Sequence, residues 1–164
     1  MILFTSIDSP VGPLLLAATT EGLQLVEFDS PRHPVQLTDE WKRGRHPVLD
    51  AACRQLGEYF AGERKVFDVP LAPQGTPFQR EVWSALAEIP YGKTRTYAEL
   101  AARAGRPTAS RAVGAAIGRN PLPILVPCHR VVGADGSLTG FSGGLAAKQH
   151  LLELECAMAA ANRR

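Results

Sequence analysis

The chain has 164 residues, 45% of them hydrophobic and 21% charged, with a formal net charge of +2, which is enough apolar material for one or two small domains that fold without a covalent staple. No run approaches the roughly 20 consecutive apolar residues of a membrane span, and Met1-Ile2-Leu3-Phe4-Thr5-Ser6 has neither a basic segment nor a cleavage pattern, so a cytoplasmic protein with no membrane partner is expected. The cysteines Cys53, Cys128 and Cys156 are odd in number, far apart and without a Cys-x-x-Cys pair; this argues against a disulfide framework and a zinc site, and reduced thiols with no metal or cofactor are expected.

Three apolar runs, 1–7, 14–18 and 23–28, are broken by Asp8-Ser9-Pro10-Val11-Gly12-Pro13 and Glu21-Gly22, the pattern of a strand meander. Residues 30–47 are rich in proline and polar groups and predict a long loop. Leu49, Ala52, Cys53, Leu56, Tyr59 and Phe60 then recur at helical spacing, with Cys53 on the apolar stripe and so in the core. Residues 66–71 suggest one more strand, and Ala72-Pro73-Gln74-Gly75-Thr76-Pro77 reads as a linker. The expected division is an N-terminal α/β domain, residues 1–75, with a small antiparallel sheet plus a helix, and a mainly α C-terminal domain, residues 76–164.

In that second part, Thr76 and Pro77 open a helix carrying Phe78, Val82, Trp83, Leu86 and Ile89 until Pro90-Tyr91-Gly92 ends it. Thr96-Tyr97-Ala98-Glu99 fits a capping box for a helix through Leu100, Ala101 and Ala104 that stops at Gly105-Arg106-Pro107. A further helix follows over about 109–117, and the pair has the outline of a helix-turn-helix. Charge follows the same division: residues 1–75 carry 7 Lys+Arg against 10 Asp+Glu, and residues 76–164 carry 11 against 6. Lys93, Arg95, Arg103, Arg106, Arg111 and Arg119 face Glu99 alone between positions 93 and 119, which points to a polyanionic partner. The second helix of the pair combines small Ala112, Gly114, Ala115 and Ala116 with one long side chain, Arg111, as suits close approach to a minor groove and insertion into a base stack.

The apolar run Leu122-Pro123-Ile124-Leu125-Val126 ends at Pro127-Cys128-His129-Arg130-Val131-Val132. Pro127 suits the first turn of a short helix, and helix amides with His129 and Arg130 nearby would lower the Cys128 pKa. Adjacent side chains do not face one another on a helix and alternate on a strand, so His129 would serve as base through a bridging water, with a carboxylate fixing its tautomer.

Several of these stretches together, Ile89-Pro90-Tyr91-Gly92-Lys93-Thr94, Arg111-Ala112-Val113-Gly114, Asn120-Pro121-Leu122-Pro123-Ile124, Pro127-Cys128-His129-Arg130-Val131 and Phe141-Ser142-Gly143-Gly144-Leu145, resemble the O6-alkylguanine-DNA alkyltransferase family, over about residues 75–155. The resemblance implies that Cys128 accepts the alkyl group irreversibly, with His129 as water-mediated base and Glu155 as its orienting carboxylate. It implies that Asn120 ties the helix-turn-helix to the active-site segment, that Arg111 fills the gap left by a flipped guanine, and that Tyr97 helps rotate the nucleotide. The recognition helix with Ala112 and Gly114 would lie on DNA, while main-chain carbonyls near Cys128 and Val131 and the Ser142 amide would read the guanine edge. The implied partner is double-stranded DNA containing O6-alkylguanine, bound by a monomer, with cooperative loading left open.

Gly140 and Phe141 stand where some members carry Asn and Tyr, and the zinc-binding cysteines of some members are absent; Cys156 is left as structural. Two other classes compete. A non-catalytic helix-turn-helix or alkyltransferase-like DNA-binding protein would have no use for a nucleophile at position 128. A Cys-His hydrolase would turn over and would have no use for the basic helix pair.

Overall fold

The apolar side chains of Leu14, Leu16 and Ala18 fall on alternate positions and all are buried, the period of a strand with one face on the core. In the computed structural model, which describes residues 1–29, 36–138, 140, 141 and 143–161, they belong to β2 (Leu14–Thr19). This strand lies between β1 (Ile2–Ile7) and β3 (Gly22–Phe28), antiparallel to both. A fourth strand, β4 (Trp41–Arg43), pairs parallel with β1 in the order β3-β2-β1-β4. The sheet is therefore mixed rather than antiparallel, and the stretch expected to be only loop supplies its edge. Trp41 anchors that edge by packing on Phe4, with ring centroids 6.4 Å apart.

Helix α1 (Pro47–Phe60) starts where its period begins: Pro47 occupies the first turn and His46 Nδ1 accepts from the Val48 amide at 3.1 Å. It buries Leu49, Ala52, Leu56 and Tyr59, while Cys53 is half-buried against the core. The strand expected over 66–71 does not form a ladder. Its backbone is claimed by side chains instead: Gln55 both donates to the Asp68 carbonyl at 3.1 Å and accepts from the Asp68 amide at 2.8 Å, and Arg64 donates to the Val66 carbonyl. Only Leu71 bridges to the sheet, at Leu23.

Beyond residues 72–76, α2 (Pro77–Ala87) and α3 (Tyr97–Arg103) each begin with a complete capping box, Thr76 with Gln79 and Thr96 with Glu99, satisfying amides that a helix start leaves without partners. With α4 (Ser110–Gly118) they form the helical C-terminal half, and α3 and α4 make the helix-turn-helix. The Trp83 indole ties α2 to α4 by donating to the Ala116 carbonyl at 2.8 Å. A two-residue parallel pair, β5 (Arg95–Thr96) with β6 (Val131–Val132), joins the start of α3 to the segment after Cys128. The last helix is α5 (Leu145–Ala161). One apolar cluster runs through both halves, from Leu16 and Leu56 to Leu86, Leu122 and Leu151.

Candidate active site

Asn120 sits just past α4 and is buried. Its side chain donates to the Val126 carbonyl at 2.8 Å and accepts from the Leu122 amide at 3.0 Å, so the chain from 120 to 126 closes into a loop, and β3 braces it through a bond from the Val26 amide to the Pro121 carbonyl. Inside this loop Ile124 has φ +77°, a left-handed conformation that a β-branched residue adopts at a cost of about 1–3 kcal/mol. Asn120 also acts on the Cys128 thiol, favouring its ionised form. The recognition helix, the strained loop and the thiol are thus one connected segment.

Cys128 to Arg130 form a single 3-10 turn, with Pro127 preceding it as the cap rather than lying within it. Cys128 is 5% exposed. Sequence reasoning expected its pKa to be lowered; the structure has it raised. Burial pushes the thiol up to about 11, against the opposing Asn120 side chain, the Lys148 charge and the amides of Cys128 and His129. At pH 7 only about 10⁻⁴ of such a thiol is ionised, so reaction requires a base to take the proton. A turn this short offers too few aligned amides to outweigh desolvation, and Arg130, expected beside the thiol, is committed elsewhere.

That commitment is to Glu155 on α5, which is 1% exposed. Arg130 grips it with Nε on Oε1 at 2.8 Å and Nη2 on Oε2 at 3.0 Å, while Nη1 donates to the Ile89 carbonyl at 2.6 Å. His129 Nε2 lies 2.6 Å from Oε2. Burial would raise the Glu155 carboxyl, but hydrogen bonds from His129 and Arg130, and their charges, hold it at about 2. An ionised carboxylate can only accept, so we assign the imidazole proton to Nε2. This leaves Nδ1 with a lone pair; it is buried and has no hydrogen-bond partner among the described residues. Burial lowers the His129 pKa despite the neighbouring carboxylate. The ring is a neutral base with its acceptor nitrogen unengaged.

Two residues of the site escaped sequence reasoning. Lys148 is 1% exposed and couples electrostatically to the thiol; its spacing with Leu151 and Glu155 on one helical face was the available signal. Tyr59, on α1, donates its hydroxyl to Glu155 Oε2 at 2.6 Å, and the Gly92 amide reaches Oε1 at 3.3 Å. No periodicity announces a contact between residues 59 and 155.

Of the other predicted residues, those described sit on α3, α4 and β6. Tyr97 opens α3 and packs beside Gly114 of α4. Arg111 and Ala112 are exposed on α4, whereas Val113, Ala116 and Ile117 face inward. Val131 is buried in β6 next to the 3-10 turn. Ser142 lies outside the described residues, although its neighbour Gly143 is described: a Cβ there would meet the Phe28 ring at 2.8 Å, which accounts for the glycine. Cys156, left as structural, is exposed rather than in the core. Among the described residues no cluster of His, Cys, Asp and Glu could hold a metal ion, and none of their helices is long and apolar enough to cross a membrane.

Sequence models of two domains match this chain: the ribonuclease-like domain of 6-O-methylguanine DNA methyltransferase over residues 2–73 and the DNA binding domain of the same protein over residues 77–157. A methylated-DNA–protein-cysteine methyltransferase of Methanosarcina acetivorans is 55% identical over 148 residues, covering 90% of this chain and 94% of that protein. One from Mycobacterium tuberculosis is 47% identical over 165 residues, covering 99% and 97%. The crystal structure of Mycobacterium tuberculosis OGT in complex with DNA superposes with a TM-score of 0.87 at 46% identity, covering 95% of this chain and 94% of that one. By identity and coverage, this chain belongs to the 6-O-methylguanine DNA methyltransferase family.

Proposed function

We propose that this chain repairs DNA by moving the alkyl group of an O6-alkylguanine onto Cys128, once per molecule and without cofactor or metal. The observation that carries the reading is the thiol, otherwise kept protonated by burial, next in the chain to an imidazole whose Nε2 is fixed on Glu155 and whose Nδ1 is free to accept a proton. The relatives named as methylated-DNA–protein-cysteine methyltransferases support it. The thiol proton passes to His129 Nδ1 through a water. The sulfur then bonds to the alkyl carbon as the carbon–O6 bond breaks, and the departing guanine anion takes up a proton. Tyr97 and the Ser142 amide are placed by this reading as donors to the leaving base, and the carbonyls near Cys128 and Val131 as readers of its edge. The thioether is a poor leaving group, so the reaction stops there. Incubation with an oligonucleotide containing O6-methylguanine should add one methyl group per chain by intact mass; catalytic turnover, or no adduct, would refute it.

The same reading has the helical unit beyond Gly75 bind duplex DNA through the exposed face of α4, with Arg111 entering the stack vacated by the flipped base and Ala112 and Gly114 permitting close approach. The protein acts as a monomer in the cytoplasm. Arg111→Ala is expected to weaken repair of duplex DNA by about tenfold or more while changing reaction with free O6-benzylguanine by less than about threefold, because an intercalated side chain matters only where there is a stack to fill. Parallel single-turnover rates on the two substrates measure this, and equal losses would make Arg111 structural.

A further inference from the structure

Glu155 Oε2 is contested. It accepts from His129 Nε2 and from Tyr59 Oη, each at 2.6 Å, with Arg130 Nη2 at 3.0 Å. Tyr59 arrives from α1, in the first half of the chain, and its ring is locked in place: it is fully buried, edge-on to Phe60 and Tyr91 and tilted against Phe67. The other titratable groups around the carboxylate and imidazole are Arg130 from the 3-10 turn, Tyr91 from the turn after α2 and Lys148 from α5, whose charge also acts on the Cys128 thiol. Arg130 brings donors but no acceptor. Tyr59 is the neutral donor that shares the oxygen bonded to His129.

We propose that Tyr59 is a positioning residue of the transfer reaction, its hydroxyl setting how strongly Glu155 draws a proton onto His129. This rests on the reading of His129 as the proton acceptor. An oxygen that receives a second short hydrogen bond spreads its charge over both donors and offers less to either. An imidazolium gains more from that oxygen than a neutral imidazole does, so the Tyr59 hydroxyl favours the neutral ring. The N-terminal half of the molecule thereby keeps the base unprotonated and ready at lower pH. The phenol remains a donor throughout, since burial and then the adjacent Glu155 charge push its pKa upward.

The test uses Tyr59→Phe, which keeps the ring contacts, and site-specific 3-fluorotyrosine at position 59, a stronger donor. In Tyr59→Phe the acid limb of the single-turnover rate on an O6-methylguanine oligonucleotide should move up by about half to one pH unit, with the plateau changed less than about threefold. The fluorinated residue should move it the other way. The titration of the His129 ring, followed by NMR in the same proteins, should shift in the same directions, and it requires no transfer. If wild-type protein forms no adduct, the transfer reading fails while the NMR titration still decides the role of Tyr59. If Tyr59→Phe does not fold, the fluorinated protein decides alone. Coincident acid limbs and His129 titrations would overturn the proposal, as would a melting-temperature change with no pH shift, which would reduce Tyr59 to packing.

Discussion

Replacing Glu155 by Gln should destabilise the protein by about 3–5 kcal/mol, the usual cost of removing one partner from a buried ion pair. The Arg130 guanidinium, almost wholly buried, loses the charge it was matched to, and a glutamine presents an N–H where Tyr59, His129 or Arg130 also bring donors. A stability of typically 5–15 kcal/mol leaves little margin for such a loss, and urea melts at neutral pH measure it directly. Transfer should also slow by about tenfold or more, because His129 no longer has an ionised partner to hold its tautomer and stabilise its charge. The pH dependence has a definite sign. A carboxyl at about 2 in the folded state and near 4.3 in the unfolded chain contributes stability that is complete above the unfolded value and is lost as pH falls toward the folded one. Between about pH 4.5 and 2 wild-type stability should therefore decline more steeply than that of Glu155→Gln. Parallel acid dependences would mean that Glu155 is not the ionised hub.

Cys128→Ser should abolish adduct formation altogether while leaving duplex affinity within about twofold of wild type, a change no larger than a substitution away from the binding surface usually brings. The thiol already needs its proton removed by a base, and a serine hydroxyl in the same dry turn is harder to ionise and a weaker nucleophile. On the proposed reading the duplex is held by the exposed face of α4 and the guanine edge is read by main-chain groups, and neither changes when the Cys128 sulfur becomes oxygen. Intact mass and a gel-shift titration on the same oligonucleotide check the two halves, and a methylated Cys128→Ser protein would remove Cys128 from its role.

Helix starts were legible because capping is written in adjacent residues: Thr76 with Gln79 and Thr96 with Glu99 form closed local circuits. Contacts that join distant parts of the chain left no such mark. Trp41-Lys42-Arg43 is too short and polar to announce a strand, and it becomes one only because the edge of β1 is available to it. Residues 66–71 had the composition of a strand, but Gln55, from the preceding helix, bonds to the backbone of Asp68. His129 and Glu155, named from the sequence, are in direct contact beside Cys128, yet the thiol is not lowered as the sequence suggests. Sequence names neighbours such as Arg130, whereas the pKa of Cys128 depends on how much water is excluded and on where that guanidinium points. Both are tertiary facts.

Gly114 has a consequence of its own. An added Cβ would rest 3.8 Å from the Tyr97 ring, an ordinary contact, and the residue is an interior position of α4, where glycine costs about 0.5–1 kcal/mol relative to alanine. Nothing inside the fold demands the missing methyl group. The molecule carries a standing loss of helix stability at a place where its own packing would accept alanine, and under the proposed DNA-binding role of α4 that glycine leaves room for a close approach from outside.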